Sequence, residues 1–277
     1  MKSKYLVIAL SIIIAVAVIA VVLISFLLSG SGENLRISLA ANLRFITFPL
    51  LAFMAALLIG LSVYFILNYR LLSLLEREDW PALAYYLEHL IYEKGRYTYR
   101  NVRLLASSYL VISDYKSVLK LENKTQLVKP VLIGKIALIF GAARILDGNR
   151  QEAASFFISH LNTCKKTDKE WVNWFIGFTQ LLAGSYPAAE AEFLSMSVSS
   201  KDAIISGLSA YFLDSALEKR SLAPDKCKNI SQTGRERVIK AVKNSTGWKK
   251  ETGKAGSDIH IAIIRKYIEE AGEWIFK

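Results

Sequence analysis

The chain has 277 residues, 53% of them hydrophobic, and a net charge of +11, with a mean hydropathy of +0.30. That is too apolar for an ordinary soluble domain and too polar for a transporter made mainly of spans, so a membrane anchor joined to a folded domain is expected. Cys164 and Cys227 lie far apart and have no ligand-like spacing with the three histidines, so neither a disulfide framework nor a zinc site is expected, and no cofactor.

Two runs without charge come first, 5–28 and 45–67, of 24 and 23 residues. A hydrocarbon core of about 30 Å needs about 20 helical residues, so both are long enough to span. Lys2 and Lys4 also suit the basic start of a signal peptide, but the first run far exceeds the roughly 7–15 apolar residues of such a signal. A retained span is expected. The intervening 29–44 reads as a loop, making 1–67 a two-helix transmembrane hairpin. Lys2, Lys4, Arg70 and Arg77 outside the hairpin, against Arg36 and Arg44 within it, place both termini in the cytoplasm. The compact hairpin suits a bacterial inner membrane. Ala52, Ala56 and Gly60 share one face of the second span, either as a close-packing seam or as ordinary span composition.

From residue 68 a repeat appears. Leu71, Ala106, Gly141 and Gly177 are separated by 35, 35 and 36 residues. Seven positions after each stand Glu78, Ser113, Gly148 and Gly184. Nine after come Trp80, Tyr115, Arg150 and Tyr186; twelve after, Leu83, Val118, Ala153 and Ala189; sixteen after, Leu87, Glu122, Phe157 and Phe193. Each unit reads as helix, short turn, helix. Gly148 and Gly184 suit the left-handed end of a first helix, and Pro81 and Pro187 the opening turn of a second.

This spacing resembles the tetratricopeptide repeat, a helix-turn-helix unit of 34 residues stacked into a superhelix. Gly141, Gly148, Ala153 and Phe157, and again Gly177, Gly184, Ala189 and Phe193, carry the likeness. Tyr109 matches the family's tyrosine and Pro130 its closing proline. The first two units depart from it, with Leu71 and Ala106 for the first glycine and Glu122 in an aromatic slot. The resemblance implies an all-α fold: about four helix pairs over 68–220, closed by capping helices. A generic α-solenoid of other hairpins is the alternative. Two spans followed by such repeats is also similar to the layout of HemY-type membrane proteins, from which no activity is carried over.

Residues 221–257 read as a basic linker and 258–277 as a terminal helix docked on the solenoid. Residues 216–256 hold eleven basic and four acidic residues. Arg235, Arg237, Lys240, Lys243, Lys249 and Lys250 alternate with Val238, Ile239, Val242 and Trp248. The segment reads either as a surface for anionic lipid, at about 1 kcal/mol per basic residue, or as a solvated connection. Nucleic acid is not expected, for want of any recognised motif.

The resemblance also implies a concave groove lined by the first helix of each unit: Arg100, Arg103 and Ser107; Lys135, Leu138 and Ala142; Trp171, Trp174 and Phe178. Such a groove would take a peptide or helix with an acidic end and an apolar anchor. The competing reading packs Trp171 and Trp174 against the capping helices. No catalytic constellation is visible, and His89, His160 and His260 read as packing or surface residues. The expected function is a membrane-tethered protein–protein interaction scaffold rather than an enzyme. The alternative is an accessory subunit bracing a membrane enzyme or transport complex.

Overall fold

The computed structural model describes Ala15, Ile19 and residues 33–277 apart from Ser257. Helices and turns account for the described residues, with no strand among them. The first expected span, 5–28, lies outside the described residues except at those two positions. The chain divides into two units, Met1–Leu83 and Ala84–Lys277.

In the first unit, helix α1 runs Glu33–Glu76 for 44 residues and includes Pro49. Residues 33–44, expected as loop, are therefore helical. Past Gly32 this stretch has no Gly or Pro and is rich in Leu, Ala and Arg, so nothing in it stops a helix. The helix continues without a break through Asn68, Tyr69 and Arg70. Ile59, Ile66 and Leu67 are 65%, 75% and 74% exposed. One stretch of α1, Ala52–Glu76, has the length and hydropathy (1.9) of a membrane-crossing helix.

Helix pairs follow. α2 is Trp80–Glu88, α3 Tyr99–Val111, α4 Tyr115–Val128, α5 Val131–Lys135, α6 Ala137–Leu146, α7 Arg150–His160, α8 Lys169–Leu182 and α9 Tyr186–Ser199. The four repeat corners share one backbone geometry. Glu78, Ser113, Gly148 and Gly184 all have positive φ, at 55°, 61°, 86° and 80°. At each corner two N–H groups fold back onto the ending helix. The N–H of Asp79, Asp114, Asn149 and Ser185 donates to the carbonyl five residues earlier, at 3.2, 2.8, 3.0 and 2.9 Å. The N–H of the positive-φ residue itself donates to the carbonyl three earlier, at 3.1–3.3 Å. This double bond pattern satisfies carbonyls a helix end would otherwise leave bare. Asp79 and Asp114 then cap the next helix, accepting from the N–H of Ala82 and Ser117 at 3.1 Å each.

A left-handed conformation costs an L-residue roughly 1–2 kcal/mol, set against the extra unfolded-state freedom of glycine at about 0.5–1. Ser113→Gly is therefore expected to stabilise the chain by up to about 1 kcal/mol and Gly148→Ala to destabilise it by about 1. Urea denaturation of the purified chain checks this; shifts of the same sign in both variants would contradict it.

Within the second unit, the first helix of each pair packs on both helices of the pair before it: α6 on α3 and α4, α8 on α6 and α7. The small residues of the repeat permit the close approach inside each pair. A Cβ at Gly141 would overlap the Phe157 ring, and one at Gly177 would meet Glu192 Cβ at 3.0 Å and Phe193 Cε1 at 3.1 Å. Ala153 and Ala189 are fully buried, while Trp80, Tyr115 and Tyr186 are half-buried at the corners. Arg150, the corner residue that is not aromatic, donates to the Leu182 carbonyl at the end of α8, 3.2 Å away. The Tyr109 hydroxyl donates to Glu88 at 2.5 Å. Glu122, in the aromatic slot, holds Arg144 of α6 through two bonds of 2.5 and 2.9 Å.

The linker expectation for 221–257 is overturned. α10 (Ala203–Phe212), extended by the π-helical turn Leu213–Leu217, packs against α11 (Pro224–Val242) as a fifth helix pair. Cys227, Ser231, Gly234, Val238 and Val242 form its buried stripe. The Ser231 hydroxyl donates to the Ala210 carbonyl at 2.9 Å. α12 (Ser245–Ala255) follows. The terminal helix is in two pieces, α13 (Ile259–Ile263) and α14 (Arg265–Phe276). α13 packs on α6, and α14 on α10, α11 and α12.

Candidate functional site

The expected groove face is filled along most of its length by the chain itself. Trp174 is fully buried against Phe178, Phe193 and Phe212, with ring centroids 5.1, 6.1 and 6.0 Å away. Phe178 is buried beneath Tyr267 of α14, at 5.5 Å. Both leave the list of groove residues and join the core. α14 is pinned by polar bonds at both ends. The indole N–H of Trp274 donates to Asp214 at 2.8 Å, that of Trp248 to the Ile268 carbonyl at 3.3 Å, and Arg235 Nε to the Ile275 carbonyl at 2.9 Å. Its apolar face, Ile268, Ala271 and Ile275, is buried as the helix packs on α10, α11 and α12, while Tyr267 covers Phe178 where a partner was expected.

At the basic end a cavity of about 270 Å³ remains. Tyr99 and Arg103 of α3, Lys135 and Leu138 at the α5–α6 junction, and Lys165 and Asp168 before α8 form its walls. Asp258, Ile259 and His260 close it. Arg103 donates to Asp258 at 3.1 Å, which ties the start of α13 to α3. Lys165 donates to the Tyr99 hydroxyl and stands 3.8 Å from the centre of its ring. His260 is only 7% exposed and lies edge-on to Trp171, with centroids 5.4 Å apart. Burial pushes its pKa down to about 4, outweighing the opposite pull of Asp258 and Asp168, so the ring is neutral. Arg103 and Lys135, expected from repeat register, are thus brought together here, and both are exposed. Arg100 is exposed on α3 and is not among the wall residues. Tyr99, Lys165, Asp168, Asp258 and His260 were not expected. They come from segments up to 161 residues apart, a relationship that repeat spacing does not encode.

Trp171 also borders a second, wider cleft of about 800 Å³, lined among others by Glu170, Asp202, Glu251 and Lys254. Its carboxylates have partners within the fold. Asp202 caps α10 at 2.8 Å, Glu170 accepts from Ser200 at 2.5 Å, and Glu251 pairs with Lys254 at 2.6 Å. Burial raises the Asp202 carboxyl despite its two backbone bonds.

The basic segment is reorganised too. Val238, Val242 and Trp248, expected to alternate with charges on an accessible face, are buried. Ile239, the fourth of these apolar residues, is half-buried. Arg235 holds the end of α14, and Arg237 donates to the Val198 and Ser200 carbonyls at the end of α9. Lys240, Lys243, Lys249 and Lys250 are exposed.

Among the described residues, stacked helical hairpins with a charged cavity between the repeats and the C-terminal segment define the class of this protein. It belongs to the family described as "Uncharacterised Treponema protein", whose profile matches residues 117–277, more than half the chain. The matched stretch contains Lys135, Lys165, Asp168, Asp258 and His260. A Treponema pallidum (strain Nichols) protein described as "Uncharacterized protein" is 26% identical over 225 residues, covering 78% of this chain and 71% of that protein. No solved structure matches.

Proposed function

We propose that this protein is a membrane-anchored helical-repeat scaffold for protein–protein interaction. The observation that carries this reading is the corner repeated four times, with positive φ at Glu78, Ser113, Gly148 and Gly184. Stacked hairpins of this kind build extended binding surfaces rather than reaction centres. The shared corner bonds and the glycine–phenylalanine contacts support a tetratricopeptide-like solenoid of four pairs, to which α10 and α11 add a fifth. The anchor is α1, supported by the apolar stretch Ala52–Glu76 and its exposed isoleucines and leucines. With 5–28 as a first span, the positive-inside rule puts both termini and the repeats in the cytoplasm of a bacterial cell.

Because Trp174 is buried in the core and Tyr267 of α14 covers Phe178, the partner surface is assigned elsewhere on the solenoid. Leu127, Val128 and Val131, around Pro130, are 85%, 59% and 67% exposed. Three large apolar side chains in water within five residues are what a protein partner would cover. Crosslinking in intact membranes, then purification, should recover a partner with the native chain and lose it with Leu127→Asp plus Val131→Asp. Unchanged helical content in that variant excludes unfolding as the cause. Recovery of the same partners from both chains would overturn this surface. Exchange of both spans for unrelated ones separates the scaffold from an accessory subunit, which would lose its partner.

A further inference from the structure

The cavity at the basic end of the repeat face has the properties of a small-molecule site. Its volume, about 270 Å³, falls just below the roughly 300–1,000 Å³ of pockets for drug-sized ligands. That suits a molecule of only a few heavy atoms. Its walls carry three cations, Arg103, Lys135 and Lys165, against two carboxylates, Asp168 and Asp258. Arg103 is engaged with Asp258 and Lys165 with the Tyr99 hydroxyl. Asp168 accepts from the Thr167 hydroxyl at 2.8 Å. Among the described residues neither Lys135 nor Lys165 forms an ion pair, and the three cations against two carboxylates leave the walls with an excess of positive charge.

The second observation is independent of charge. His260 is more than nine-tenths buried and lines the cavity, its ring lies against those of Trp171 and Phe175, and neither ring nitrogen has a hydrogen-bond partner among the described residues. The imidazole borders the same cavity as Lys135. A neutral imidazole offers one donor and one acceptor, the complement of a hydroxyl or a carboxyl oxygen.

We propose that this cavity binds a small carboxylate bearing a neighbouring hydroxyl, with Lys135 as its charge partner and His260 as its hydrogen-bond partner. The ligand would join four separate segments: α3, the α5–α6 junction, the 165–168 turn and the start of α13. Occupancy would therefore fasten the C-terminal segment to the repeats. This reading stands apart from the scaffold proposal and needs no protein partner.

The test uses the full chain in detergent, titrated with malate, succinate and inorganic phosphate. Tryptophan emission is the readout, because the Trp171 ring lies against His260. Malate is expected to give a saturable change with Kd near or below about 1 mM, to raise the melting temperature, and to bind more tightly than succinate. Lys135→Ala, at an exposed position, should weaken malate binding at least tenfold with the ligand-free melting temperature unchanged, and Lys135→Arg should retain it. No saturable response to malate up to about 10 mM, or equal binding by Lys135→Ala, would overturn the site. Phosphate binding as tightly as malate would overturn the carboxylate assignment. Succinate binding as tightly as malate would overturn the role given to His260.

Discussion

Arg144→Met is expected to destabilise the chain by about 3–5 kcal/mol, because it leaves the Glu122 carboxylate buried without its counter-charge. The side chains of Arg144 and Glu122 are only 16% and 9% exposed. The guanidinium reaches both carboxylate oxygens, at 2.5 and 2.9 Å. It also donates to the Phe140 carbonyl at 3.3 Å and lies over the Phe156 ring at 4.2 Å. Glu122 belongs to the second unit and Arg144 to the third, so the pair joins adjacent repeats. In the third and fourth units the same slot is filled by Phe157 and Phe193 against glycine. The ion pair therefore stands where apolar packing serves elsewhere in the stack. A buried pair replaced entirely by apolar residues of similar size is often neutral or stabilising. The double variant Glu122→Leu plus Arg144→Met should accordingly recover most of the loss. Urea denaturation of all four chains closes the cycle. A single-variant loss below about 1 kcal/mol, typical of an exposed pair, would show that the pair is solvated, and a double variant as unstable as Arg144→Met would show that slot 122 does not accept an apolar side chain.

That exchange also shows what was legible in the sequence. The corners could be read because Gly148, Gly184 and the prolines punctuate them. The same phase then located Glu78 and Ser113, which adopt the glycine conformation without being glycine. The Asp, Asp, Asn, Ser series that follows, at 79, 114, 149 and 185, is a further signal of the same corners. The fifth pair was hidden for a physical reason. Its buried stripe on α11 begins with Cys227, Ser231 and Gly234, small residues that hydropathy does not flag, although the spacings of 4, 3, 4 and 4 to Val242 are helical. The charges that suggested a linker occupy the rest of the helix surface. At the candidate site, Arg103 and Lys135 followed from repeat register, which put both among the expected groove residues, and both line the cavity. His260 did not, because its position depends on how the C-terminal segment folds back over that face. Register alone also could not show that α14 would bury part of it.

Trp174 is where these two readings lead to different outcomes. A groove residue would lose its partner on truncation and leave the fold intact; a core residue would lose the fold. The structure buries Trp174 completely, with four aromatic rings besides Trp171 within about 6 Å of its centroid. Trp174→Ala is therefore expected to cost about 3–5 kcal/mol, the transfer free energy of the indole plus the cavity left behind. Trp174→Phe should behave very differently. Among the described residues the indole N–H has no hydrogen-bond partner, and a buried donor left unsatisfied costs about 1–3 kcal/mol. Phenylalanine removes that donor while keeping a ring for Phe178 and Phe212 to pack on. The released penalty offsets much of the lost apolar area, so the net change should stay under about 1.5 kcal/mol. Equilibrium unfolding followed by circular dichroism separates the two variants. Equal, large losses would mean that indole shape rather than apolar area dominates this core. A loss under about 1 kcal/mol for Trp174→Ala would place the side chain outside the core and return it to the partner-binding face. With the expected result, any partner lost from a Trp174→Ala chain reflects unfolding of the aromatic seam, and the exposed residues around Pro130 are the ones to vary.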